Sequence, residues 1–174
     1  AAVAGAIKSY TQMTGQISDL AAKTGITTDA IQKLGYAAKM NGTQVETLAQ
    51  GVLQLSKRLV EGDKSAVAAV SALGLKVSDL RRMAPEQAFT TIADAIAKVP
   101  DPMLQSASAM QIFGRMGGEL LPAMKGNLSA LADEAQRAGV VMSDSVIEQG
   151  DRLGDTFDKL MLAGKTLIAT VLTP

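Results

Sequence analysis

Met103-Leu-Gln-Ser-Ala-Ser-Ala-Met110-Gln-Ile112-Phe113-Gly114-Arg115-Met116-Gly117-Gly118-Glu119-Leu120-Leu121-Pro122-Ala123-Met124 decides the fold, because it joins the chain's clearest helix start to its densest apolar cluster. Asp101 before Pro102 is an N-cap followed by proline at the first helical position, where no intrahelical carbonyl awaits an N–H. Leu104, Ala107 and Met110 then fall near helical spacing, Ile112 and Phe113 close the run, and Gly114 supplies a residue able to leave the helix with positive φ. Gly117-Gly118 lets backbone pass close to a neighbour, and Glu119-Leu120-Leu121-Pro122 begins a further short apolar segment.

Outward from this stretch the composition favours helices. The chain has 174 residues, enough for one sizeable core or one compact unit with helical extensions. Apolar residues make up 47% and aromatics 3%, with no Trp, so the core must come from Ala, Leu, Val, Ile and Met, and its helices must approach closely. Lys+Arg and Asp+Glu both number 17, so the electrostatic footprint of a nucleic-acid binder is missing. With no Cys and no His, disulfides, thiolate metal sites and the commonest acid/base group are excluded. The opening Ala1-Ala2-Val3-Ala4-Gly5-Ala6-Ile7 carries no charged leader and does not read as a signal peptide; the chain reads as a piece of a longer polypeptide.

The expected fold is all-α, a multi-helix array of short helical hairpins with a long C-terminal amphipathic helix, about eight helices in all. Residues 1–24 form an N-terminal connecting helix, 25–142 a compact helical module, and 143–174 a long amphipathic exit helix. Thr27 or Thr28 caps a helix to about residue 40, closed by Asn41-Gly42. Thr43 and Glu46 make a capping box for the next, whose Val45, Leu48, Val52, Leu55 and Leu59 form a narrow seam. Lys64 to Leu73, one turn through Met83, a helix from Pro85 with Phe89, Ile92, Ala93 and Ile96 inward, and a helix capped by Asn127 follow. In the last helix Val146, Gly150, Leu153, Phe157, Leu160, Gly164, Leu167 and Val171 alternate steps of four and three along a rod of about 43 Å. Glu148, Asp151, Asp155 and Asp158 are expected on its opposite, solvated face, so the seam reads as a self-association surface.

Chemical motifs resolve to structural ones. Gly114-Arg115-Met116-Gly117-Gly118 follows a helix rather than a strand, unlike a phosphate cradle, and reads as a tight helix-to-helix passage. The acidic residues of the last helix lack the spacing of a calcium loop. Glu119 has no second carboxylate beside it, so no enzyme activity, cofactor or metal is expected. Met103, Met110, Met116 and Met124 read as core filling in preference to an adaptable binding surface, and Lys57-Arg58 and Arg81-Arg82 as solvated basic pairs.

Ile112, Phe113, Gly114, Arg115, Gly117, Glu119, Leu120, Leu121 and Pro122 resemble the "FGRxGxELLP" signature of tail tape measure proteins from long-tailed bacteriophages and prophages. Leu20-Ala21-Ala22-Lys23-Thr24-Gly25-Ile26-Thr27-Thr28-Asp29-Ala30-Ile31-Gln32-Lys33-Leu34-Gly35-Tyr36-Ala37-Ala38-Lys39 resembles the same family, and the likeness runs over residues 15 to 160. Ala84 stands where the family often carries serine. The resemblance implies a structural role in tail assembly, tail-length control and genome ejection, in the tube lumen of the virion tail after assembly in the host cytoplasm. Implied partners are other copies of the chain and tail tube or tail tip proteins, with membrane contact left to regions outside this segment and no sequence-specific nucleic acid. A membrane-active helical domain at the host envelope is the alternative, motivated by the Ala-rich start and apolar end; Lys159 and Lys165 interrupt the last apolar run before it reaches a spanning length.

Overall fold

Local capping chemistry sets most of the helix boundaries. In a computed structural model the backbone is described for residues 2–172 and the side chains for residues 5–160. Ten helices follow in order: α1 (Ala2–Thr24), α2 (Thr28–Met40), α3 (Val45–Glu61), α4 (Lys64–Ala72), α5 (Val77–Leu80), α6 (Pro85–Ala97), α7 (Pro102–Phe113), α8 (Met116–Lys125), α9 (Leu128–Arg137) and α10 (Asp144–Leu172). No strand occurs among the described residues. The two helices beyond the expected eight are α5, a single turn, and α8, whose internal Pro122 hides it from a sequence reading.

Thr27, Asp63, Asp101 and Asn127 each accept a hydrogen bond from a backbone N–H of the first turn they precede. The capping box at Thr43 does not form. The N-cap of α3 is Gln44, with no side-chain cap bond, because the Thr43 N–H already donates to the Ala38 carbonyl across the end of α2. That six-to-one closure after a left-handed Gly42 uses the donor that Glu46 needed.

The chain divides into two compact units, Leu20–Val141 and a second made of Ala1–Asp19 with Met142–Pro174. The end segments, read from sequence as separate connecting and exit helices, therefore belong to one unit. In the larger unit α3, α6, α7 and α8 pack on one another, α2 packs on α9 and α3, and α4 packs on α7. Leu48, Leu55, Phe89, Ile92, Ile96, Ile112, Phe113, Leu120 and Met124 are fully buried there. The rings of Phe89 and Phe113 meet edge to face at 5.5 Å, the geometry that aromatic quadrupoles favour.

In the smaller unit α1 and α10 run antiparallel, with Thr11 beside Gly154 and Thr14 beside Gly150. The Tyr10 hydroxyl donates to the Val146 carbonyl at 3.0 Å. The buried Thr14 hydroxyl donates to the Tyr10 and Thr11 carbonyls of its own helix, so its burial leaves no donor unmet.

Candidate functional site

The signature residues build the joint between α7 and α8. Gly114 ends α7 at φ +65°, where a side chain is strained, and Gly117 seats the first turn of α8 on the backbone of α7. A Cβ at Gly117 would lie 2.4 Å from the Ala109 carbonyl carbon and oxygen, whereas one at Gly118 would meet nothing. Ile112, Phe113 and Leu120 are buried and Leu121 half-buried, while Arg115, Glu119 and Pro122 are exposed. The apolar half of the signature thus holds the core together and its polar half faces outward.

A largely buried arginine that sequence reasoning assigned to solvent completes the joint. Arg58 donates through Nη1 to the Ile112 carbonyl at 3.0 Å and through Nη2 to Asp63 Oδ1 at 2.8 Å. Asp63 Oδ1 also accepts from the Ala66 N–H at 2.9 Å, so one guanidinium ties the C-terminus of α7 to the cap of α4. The Ala66 N–H first, then the Arg58 guanidinium, hold the Asp63 carboxyl below its ordinary pKa. Arg81 likewise donates to the Leu59 carbonyl and is no simple solvated charge. No local pattern marked the contact, because the carbonyl that Arg58 meets is that of Ile112 at the end of α7, 54 residues away. Of the methionines, Met124 is buried, Met116 half-buried, and Met103 and Met110 exposed, so core filling accounts for only part of the set.

The seam of α10 is split. Gly150 faces α1: a Cβ there would lie 2.6 Å from the Thr14 side chain. Val146, Leu153, Phe157 and Leu160 are exposed. Gly164, Leu167 and Val171 lie outside the residues whose side chains are described. The buried face instead carries Ile147 and Gly150, with Asp151 and Gly154 half-buried, and is turned about 100° from the predicted seam. Sequence reasoning missed Ile147 and Gly154, and placed Asp151 wholly in water. Lys8, Thr11, Gly15, Asp151, Asp155 and Asp158 line a groove of ≈ 710 Å³ in this unit, and Glu148 is paired with Arg152 at 2.6 Å.

Among the described residues no group of three or more Asp, Glu, Cys or His is placed to hold a metal ion, and no helix is long and apolar enough to cross a membrane. No protein-family profile, curated protein or solved structure matches the chain.

Proposed function

We propose that this chain is a structural module of a phage tail tape measure protein, folded beside the extended ruler and acting in tail assembly, length determination and genome ejection. The observation that supports this reading most is the division of labour in the signature. Ile112, Phe113, Gly114, Gly117 and Leu120 are all used to join two helices. A signature spent on architecture suits a protein whose product is a shape. The exposed stripe Val146, Leu153, Phe157 and Leu160 gives copies of the chain an apolar face for association within the tail, next to tube and tip proteins.

The test is an in-frame deletion of residues 20–141 from the gene, followed by electron microscopy and titration of the particles. Missing tails, or tails of altered length with loss of infectivity, are expected; infectious particles with normal tails would sink the proposal. The rival membrane-active reading predicts leakage of dye-filled liposomes by the chain, and intact liposomes are expected.

A further inference from the structure

The chain has two asparagines, and only Asn41 is followed by glycine, whose missing Cβ leaves its backbone nitrogen the least shielded of any residue's. Asn127 precedes Leu128, and no aspartate precedes a glycine. The Asn41-Gly42 step is therefore where this chain most readily loses a side-chain amide, and the turn between α2 and α3 is built around that amide.

Asn41 caps the end of α2 half-buried, and its Nδ2 donates to the Ala37 carbonyl at 2.8 Å. Its carboxamide lies on Gly126, at the end of α8. Gly126 has φ −82°, an angle open to any residue, so its glycine answers to space: a Cβ there would overlap Oδ1, Cγ and Nδ2 of Asn41. The backbone is held as well. At ψ 8° the Gly42 nitrogen is nearly eclipsed with Asn41's own nitrogen, whereas attack on Cγ needs it on the side of Cβ. The Thr43 N–H, donating to the Ala38 carbonyl at 3.0 Å, keeps the turn in that form.

We propose that Asn41 is a deamidation site that the fold withholds and that reacts only when the α2–α3 turn opens. Hydroxide takes the Gly42 amide proton, and the nitrogen attacks Cγ to close a succinimide. The Cγ–Nδ2 bond breaks and ammonia leaves with a proton from water. Water then opens the ring at either carbonyl, giving aspartate or isoaspartate, and nothing is oxidised or reduced.

Neither product restores the turn. A carboxylate has no donor for the Ala37 carbonyl and puts negative charge at the negative end of α2. Isoaspartate also lengthens the main chain inside the closure from Thr43 to Ala38. Each opening that ends in reaction thus leaves a permanent mark, and the site follows from local chemistry whether or not the tail assignment holds.

Incubation of the full chain in mildly alkaline buffer, with and without denaturing urea, tests this by mass spectrometry of peptide digests and an isoaspartate assay. In urea the modification should fall on Asn41, and Asn41→Gln should abolish it. Without urea it should be at least about tenfold slower, the slowing matching the hydrogen-exchange protection of the Thr43 amide within about threefold. Gly126→Ala, still helical by circular dichroism, should react several-fold faster, because its methyl displaces the carboxamide. If that variant does not fold, the match to Thr43 protection decides alone. Equal rates in folded and unfolded chain, slowing unrelated to Thr43 protection, modification elsewhere, or a folded Gly126→Ala chain no faster than its parent overturns the proposal.

Discussion

Phe113 carries the most weight of any single side chain in the central stretch. It is 1% exposed and meets Phe89 edge to face, so Phe113→Ala removes both burial and a ring contact. A loss of about 3–5 kcal/mol is expected in a urea melt; a neutral variant would make the stretch a surface element. The adjacent glycines separate two effects that composition alone merges. Gly117→Ala should destabilise by about 1–3 kcal/mol, because the new methyl has backbone and not a flexible side-chain end in front of it. Gly118→Ala should be neutral or stabilising by up to about 1 kcal/mol, since it meets open space in a helix. The pair Gly117-Gly118 was legible as a close passage, but which glycine makes the contact depends on the helix phase against α7, which no local pattern encodes.

At the scale of elements, caps were the legible part and partners were not. Asp101, Pro102 and Gly114 act on their own neighbours, so α7 has the start and stop that its residues announce. Thr43 failed because its N–H was claimed by the end of the preceding helix. Accordingly Asp101→Ala should cost about 1 kcal/mol, and Thr43→Ala less than that, in the same melt. The α10 seam misled for a related reason. Large apolar residues mark one face, but the closest approach to α1 is made where Gly150 and Gly154 meet Thr14 and Thr11. Small side chains chose the buried face.

The Arg58–Asp63 junction gives this scale a pH signature. The folded chain holds the Asp63 carboxyl below its ordinary value, so the unfolded chain takes up the proton first as the solution is acidified. Its contribution is therefore complete above the ordinary aspartate pKa of about 3.9 and lost as pH falls through the lower folded value. Asp63→Asn should flatten that part of the acid limb in stability measured against pH, while an unchanged limb would detach Asp63 from the junction.

Over the whole molecule the α7–α8 joint should be the last thing to open. Helices α3, α6, α7 and α8 hold most of the large fully buried side chains of Leu20–Val141, whereas in the smaller unit Ile147 is the one large fully buried side chain among the described residues, and the closest approach of α1 to α10 is made by glycines and threonines. Large apolar contacts set the free energy of global opening, and segments with few of them open separately and sooner. The class of fold was readable from caps and periodicity; this ranking was not, because it depends on which helices share a core. Native-state hydrogen exchange resolved by residue measures it directly. The slowest amides are expected in α3, α6 and residues 109–124, all exchanging with one common free energy, with faster exchange in residues 5–19 and 144–160. Fast exchange across residues 109–124, or greatest protection in α10, would contradict it.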